Sequence, residues 1–367
     1  MTGGLKSDGR KLVSSRRLVV LGGEGYVGSV LVKNAASFDL EVVQVDAGWF
    51  RNVVSATEGR TDIRDLDEGF FKPNDTVINL AAVSNDPMGQ EFGAATLSIN
   101  RDGAVSVAEL ARKAGAALYV FASSASVYGA VEVGELADET SSLRPQTAYA
   151  LSKAEAEGRL RGLADENFQV LALRFATAMG SSDNLRLDLA VNEFTESALR
   201  HGEVLLRSSG EAHRPFISVQ DMAFAILTVV ERHQTIPHPF AIFNVVAEGW
   251  NYSIIDAATQ VAGVLDVPVS IKAGSFADRR NYSMSHEKWH EQFPDWKPQL
   301  SFVACVRELA EQLVALEIPS KRDVSGISRH FNRLASLRSS VSGGDLSNDL
   351  RWEPGIKSLG AGQPAPF

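Results

Sequence analysis

One cysteine, Cys305, stands in 367 residues. A disulfide framework within the chain is thereby impossible, and so is any metal site built from several cysteines. Uninterrupted apolar runs are also missing at the length a bilayer crossing needs. Basic residues are in the minority, 36 Lys and Arg against 45 Asp and Glu, for a net charge of -9. A nucleic-acid binder needs the opposite balance, although one small basic pocket for a phosphorylated ligand stays open. No G-x-S-x-G elbow surrounds the serines, which argues against a serine hydrolase. His233 and His238 flank prolines with no third ligand at metal spacing, so no metal is expected. The scattered tryptophans are taken as packing residues. These absences suit a globular protein of a reducing cytoplasm.

Arg16 and Arg17 precede the apolar run 18–21, superficially like a twin-arginine export signal. Gly22, Gly23 and Gly25 break that run at once. A first strand entering a glycine turn explains the pattern better. Residues 1–16 are expected to be a disordered tail.

Short β-branched runs alternate with helical patterns through the first half. Strands are expected at 18–21, 42–45, 76–80, 118–121 and 170–174, and helices at 26–36, 93–113 and 146–163. This alternation predicts βαβ units and a doubly wound, Rossmann-type α/β fold around a parallel sheet. Residues 17–180 would form the dinucleotide-binding domain. A smaller substrate-binding lobe, interleaved with the sheet, is expected over 181–320, with helices at 187–201, 221–231 and 254–262 and extended pieces at 204–207 and 242–246. Residues 321–367 are expected to be a partly helical extension with a frayed end.

The segment Gly22-Gly23-Glu24-Gly25-Tyr26-Val27-Gly28 contains G-x-G-x-x-G from Gly23. Glycines there permit a sharp turn and let the backbone approach a pyrophosphate, which the helix N-terminus favours with open N–H groups. The motif alone is weak. Its context strengthens it, because Asp46 follows the second strand about 20 residues later, where a carboxylate accepts from the adenosine ribose hydroxyls. That charge would repel the extra phosphate of NADP, so NAD is the expected cofactor; Arg51 keeps a smaller NADP reading open. Glu24 has no explanation from sequence.

Tyr149 and Lys153 stand four apart near the start of the 146–163 helix, on one face. A lysine ammonium close to the phenol favours the phenolate, which can then take a hydroxyl proton. A chance surface pair is the ordinary explanation of such spacing. The serine-rich segment 123–126 directly after a strand displaces it, since ligands bind at the carboxyl ends of parallel strands.

With these motifs the sequence resembles the extended short-chain dehydrogenase/reductases, in particular the NAD-dependent nucleotide-sugar epimerases and dehydratases typified by UDP-glucose 4-epimerase, from about residue 17 to 314. The resemblance implies Ser124, Tyr149 and Lys153 as the catalytic triad. It implies Asp62 and Ile63, placed after the third strand, as an adenine-contacting pair, and Leu80, Ala81 and Ala82 as a wall of the cofactor site beside Gly22, Gly25, Tyr26, Val27, Gly28 and Asp46. Substrate contacts are expected from Ser84, Ser124, Ser126, Tyr149, Thr177 and Asn192. Arg214 and Arg280 would take the nucleotide diphosphate, for which the planar guanidinium fork is suited. The family often has asparagine where Ala176 stands, and dehydratases usually carry Thr-Asp-Glu where this chain has Ser124-Ala125-Ser126. Hence the expected activity is a nucleotide-sugar epimerase oxidising a hydroxyl transiently, at carbon 4. A net dehydrogenase is the alternative, a dehydratase less so, and a non-catalytic NAD-binding regulator is the reading from another class. A homodimer through the 93–113 and 146–163 helices is implied as well.

Overall fold

The computed structural model describes residues 16–38, 40–50, 60–132, 134–276, 281–318 and 331–354. Residues 1–15 of the expected tail, Arg51 and Arg280 lie outside the described residues, as do the last thirteen positions, whereas Arg16 belongs to the first strand.

Strand β1 (Arg16–Leu21) runs into the glycine turn and helix α1 (Tyr26–Ala35). Then follow β2 (Leu40–Val45), β3 (Thr76–Asn79), helices α2 (Asp86–Glu91) and α3 (Gly93–Leu97), α4 (Ala104–Lys113), β4 (Leu118–Ser124), α5 (Ala148–Arg161) and β5 (Gln169–Phe175). The second half holds β6 (Thr177–Met179), α6 (Ala190–His201), β7 (Val204–Ser208), β8 (His213–Ser218), α7 (Val219–Arg232), β9 (Phe240–Val245), β10 (Asn251–Ser253), α8 (Ile254–Leu265), β11 (Val269–Phe276), α9 (Glu287–Gln292) and α10 (Phe302–Ala315). A last helix spans Arg333–Ser342.

Six strands form one parallel sheet in the order β2-β1-β3-β4-β5-β9. Alternate residues of each strand point to opposite faces. Leu18 and Val20 pack with the α1 and α7 side, whereas Val19 and Leu21 pack with the α4 and α5 side. Both faces are therefore covered, and the middles of the strands carry apolar side chains on both sides, as expected of a doubly wound sheet. β9 returns to this sheet from within 181–320, so the smaller lobe is interleaved with it. That lobe has its own core of α6, α8, α10, β7 and β8 side chains, including Phe194, Leu206, Phe216, Val261 and Phe302.

The expected single helix over 93–113 is not regular. Between α3 and α4, residues Ser98–Gly103 form a π-helical turn. Within it the Asn100 side chain accepts from the Val83 amide at 2.8 Å and donates to the Val83 carbonyl at 2.9 Å. It donates also to Ser152 Oγ of α5, at 3.1 Å. One buried amide thus fixes the loop after β3 against the helix that carries Tyr149 and Lys153. Contrary to expectation, Asp62 and Ile63 do not follow the third strand; they precede β3, at a short 3-10 turn over Ile63–Asp65.

Among the described residues no helix is long and apolar enough to cross a membrane.

Candidate active site at the carboxyl ends of the sheet strands

A cavity of about 880 Å³ opens where the parallel strands end and the smaller lobe begins. Open α/β sheets place ligands there because the βα turns diverge and leave a crevice.

The glycine turn forms one end. Gly22 adopts φ +82°, and a Cβ built on it would stand 2.7 Å from the Ala81 nitrogen. On Gly28 a Cβ would meet the Gly22 carbonyl oxygen at 2.1 Å. Only hydrogen at these positions lets α1 start so close to β1 and β3. No side chain caps α1, whose N-cap is Gly25, and Tyr26, Val27 and Gly28 line the cavity. Asp46 stands beside them, its two oxygens accepting the amides of Gly48 at 2.8 Å and Glu24 at 3.1 Å. The carboxylate is held in place and keeps acceptor capacity for ribose hydroxyls. Asp62, Ile63, Leu80, Ala81 and Ala82 complete this end. Asp62 caps the turn that follows it and pairs with Arg64 through two guanidinium nitrogens, at 2.9 and 2.5 Å. Glu24 is nearly buried and is absent from the cavity wall, which answers the difficulty of an acid beside a phosphate site. The open helix start, the hydrogen-only clearances and the fixed carboxylate fit a dinucleotide.

Farther along, Ser124 ends β4, and Tyr149 and Lys153 come from the first turns of α5. All three line the cavity. Ser126 donates to Ser124 Oγ through both its hydroxyl, at 3.0 Å, and its amide, at 3.2 Å. The Ser124 hydroxyl is thus oriented from behind. Burial pushes the Tyr149 phenol up to about 12, with Ser124 opposing the rise. Lys153 turns toward the backbone of β4. Its ammonium donates to the Ala122 carbonyl at 2.7 Å and lies 4.5 Å from the Phe121 ring centroid. Burial lowers its pKa to about 7, against a smaller opposing pull from Glu157.

Glu157 is itself occupied. It accepts the Ser123 hydroxyl and pairs with Arg174 on β5, Nη2 to Oε2 at 2.7 Å. Both partners are 3 % exposed, and Arg174 reaches Tyr128 too, at 2.9 Å. This buried pair joins α5 to the sheet one helical turn after Lys153.

The substrate side mixes agreement with correction. Ser84, Thr177 and Arg214 line the cavity. Arg214 is buried at 5 % exposure, donates to the His213 carbonyl at 2.7 Å and lies over the Tyr282 ring. Asn192 does not reach the wall. Its Oδ1 accepts from Gly180 at 2.9 Å, and its Nδ2 donates to the Arg186 carbonyl at 2.8 Å and to Tyr26 Oη at 3.2 Å. Its amide is engaged by these protein partners. The residues that do reach the cavity from that segment are Arg186 and Asp188. They form a two-point pair at 2.9 and 3.0 Å, extended by Ser84 and Asn85.

Asn332, Arg333 and Leu334, at the start of the last helix, also line the cavity and gave no sequence signal. The segment they begin packs back on the first half. Arg338 pairs with Glu91, Arg351 with Asp65, and Trp352 Nε1 donates to the Ala47 carbonyl at 2.6 Å. Cys305 lies buried, its thiol pushed up to about 12, and has no place in the cavity. Among the described residues no His, Cys, Asp and Glu cluster could hold a metal ion.

Comparison with known proteins agrees with this geometry. A family model described as the NAD dependent epimerase/dehydratase family matches residues 18–245. UDP-glucuronic acid decarboxylase 1 of Xenopus tropicalis is 26% identical over 233 residues, 60% of this chain and 55% of that protein. The chain thus spans little more than half the length of that relative. UDP-glucose 4-epimerase of Lacticaseibacillus casei is 25% identical over 319 residues, 80% of this chain and 95% of that one. Among solved structures, MoeE5 in complex with UDP-glucuronic acid and NAD is 22% identical, with a TM-score of 0.70 over 82% of this chain and 99% of the other. The UDP-glucose 4-epimerase of Thermus thermophilus in complex with NAD is 24% identical, with a TM-score of 0.68 over 81% and 99%. The chain belongs to the NAD dependent epimerase/dehydratase family, and NAD is its cofactor.

Proposed function

We propose that this protein is a nucleotide-sugar epimerase that oxidises a sugar hydroxyl, at carbon 4, and reduces the resulting ketone from the opposite face. The observation that carries this reading is the meeting of Ser124, Tyr149 and Lys153 in one cavity with Arg214, a buried cation suited to a nucleotide diphosphate. NAD, when bound, accepts a hydride and gives it back. Ser124, oriented by Ser126, hydrogen-bonds the reacting oxygen. Tyr149 takes the hydroxyl proton and later returns it. Lys153, four residues after Tyr149 on α5 and anchored on Ala122, presents an amine that titrates near neutral pH. The serines at 124 and 126 stand where elimination chemistry would need an acid and a base, which favours epimerisation over dehydration.

Asp86 gives a second reading some footing. Its carboxylate lines the cavity, accepts from Thr147 Oγ1 at 2.5 Å and raises the Tyr149 pKa. An acid so placed suits loss of water after oxidation. A homodimer through the helical stretch 93–113 and α5 belongs to the same proposal, with Leu151 exposed on α5 as its apolar contact.

The test is to incubate the purified protein with NAD and a panel of UDP-, GDP- and dTDP-sugars, following product mass and proton NMR. Unchanged mass with an inverted ring-proton pattern supports the epimerase and names its sugar. Loss of two hydrogens makes it a net dehydrogenase, and loss of water moves the chemistry to Asp86.

A further inference from the structure

Residues 331–354 lie beyond the stretch that the family model matches, yet they supply part of the cavity wall. Arg333 is 2 % exposed. Its Nη2 donates to the Asn184 carbonyl at 3.1 Å and to Asn184 Oδ1 at 2.6 Å. The guanidinium lies 4.3 Å from the centroid of the Phe50 ring. Nη1 is buried and has no hydrogen-bond partner. A buried cation left half-satisfied is costly, and the cost falls away when an anion completes it.

The carboxylates nearby are already engaged. Asp188 is paired with Arg186 and accepts from Asn85. Asp46 accepts two backbone amides. Burial, with Arg186 adding to it and Asp188 and Asp46 opposing, lowers the Arg333 pKa to about 9. Its position says which anion belongs there. Asn184, which holds the guanidinium, also donates to the carbonyls of Glu24 and Phe50. Glu24 is a residue of the glycine turn. One side chain therefore ties Arg333 to the turn in front of α1, where the pyrophosphate of a dinucleotide rests. Arg214, by contrast, sits on β8 against Tyr282, on the side of the smaller lobe.

We propose that Arg333 binds the pyrophosphate of the dinucleotide, so that the C-terminal segment closes the cofactor site from outside the matched family region. This rests on the cofactor assignment and not on the epimerase reading. The Arg351–Asp65 pair and the Trp352 hydrogen bond farther along the segment hold it down over the adenosine end.

The test measures dissociation constants by titration calorimetry for NAD, ADP-ribose, adenosine and UDP. It compares the wild type with Arg333→Met, Arg333→Gln and Arg338→Met. Loss of a charge-assisted contact should weaken NAD and ADP-ribose alike, about 10- to 100-fold, in both Arg333 variants. Adenosine and UDP should bind as before. Arg338→Met, which removes only an exposed pair on the same helix, should leave NAD affinity unchanged. Arg333→Gln keeps a donor for Asn184 and serves where Arg333→Met does not fold. Wild-type affinity for NAD in Arg333→Gln would overturn the proposal. So would a loss confined to UDP, which would put the guanidinium on the substrate instead. Failure of the wild type to bind NAD would strike the cofactor assignment itself.

Discussion

Replacing Lys153 by methionine should abolish turnover and yet stabilise the cofactor-free fold. The ammonium is 2 % exposed, sits among apolar neighbours, and has a single carbonyl partner. Its pKa falls from the ordinary 10.5 to about 7. At about 1.4 kcal/mol per pKa unit, the ceiling on the cost of keeping it charged in the fold is roughly 5 kcal/mol. Loss of the bond to Ala122 returns about 1 kcal/mol, and local relaxation lowers the rest, so a net gain of about 2–3 kcal/mol is expected for the variant at pH 6. The sign follows from proton counts. Between pH 7 and 10.5 the unfolded lysine holds a proton that the folded one has released, so wild-type stability rises with pH through that window and is flat below it. Methionine has no such dependence. The gap between the two proteins should be widest below pH 7 and close towards pH 10.5. Urea unfolding of NAD-stripped protein at pH 6, 7.5, 9 and 10 reads this directly. A variant less stable than wild type at pH 6, or a gap that ignores pH, would refute the reasoning.

Tyr149→Phe should lower kcat by about 10²- to 10⁴-fold while NAD affinity stays as it was, in single-turnover kinetics beside calorimetry; undiminished function would favour a regulator over an enzyme. Glu157→Leu strands the Arg174 guanidinium in the core, at an expected cost of about 3–5 kcal/mol in urea unfolding. A change under about 1 kcal/mol would show that the pair is not a unit. Gly28→Ala forces a methyl against the Gly22 carbonyl, 2.1 Å from its built position, so α1 must shift. NAD affinity should then fall at least about tenfold, and retained affinity would mean that α1 has more room than this geometry allows.

Sequence reading went far where the signal was local. The glycine turn, Asp46, Ser124 and the Tyr149–Lys153 spacing all lie within single βα units, and the structure brings them to one cavity. Alternating strands and helices were legible because a sheet covered on both faces writes itself as uninterrupted apolar runs. Elsewhere the same residue types carry two meanings. Asn192 has the look of a ligand contact, but a buried amide that satisfies Gly180, Arg186 and Tyr26 reads the same in one dimension. Spacing placed Lys153 on the face of Tyr149 without saying that its ammonium turns to Ala122. The π-helical turn at Ser98–Gly103 has no composition of its own. Arg333 was beyond reach, because its meaning depends on Asn184, 149 positions earlier, and no periodic pattern links them.

The hold of the C-terminal segment on the first half bears on how this chain matures. Arg351 meets Asp65 across 286 positions, and Trp352 meets Ala47 across 305. Chains leave the ribosome from the N-terminus, and early parts begin to fold before late ones exist. The glycine turn and its strand-helix partners can therefore take shape while the residues that cover them are still unmade. If Arg333 takes the pyrophosphate, the cofactor site stays incomplete until residues 331–354 pack against this earlier part. That end of the site is thus completed by contacts of high sequence separation, the kind that are slow to form.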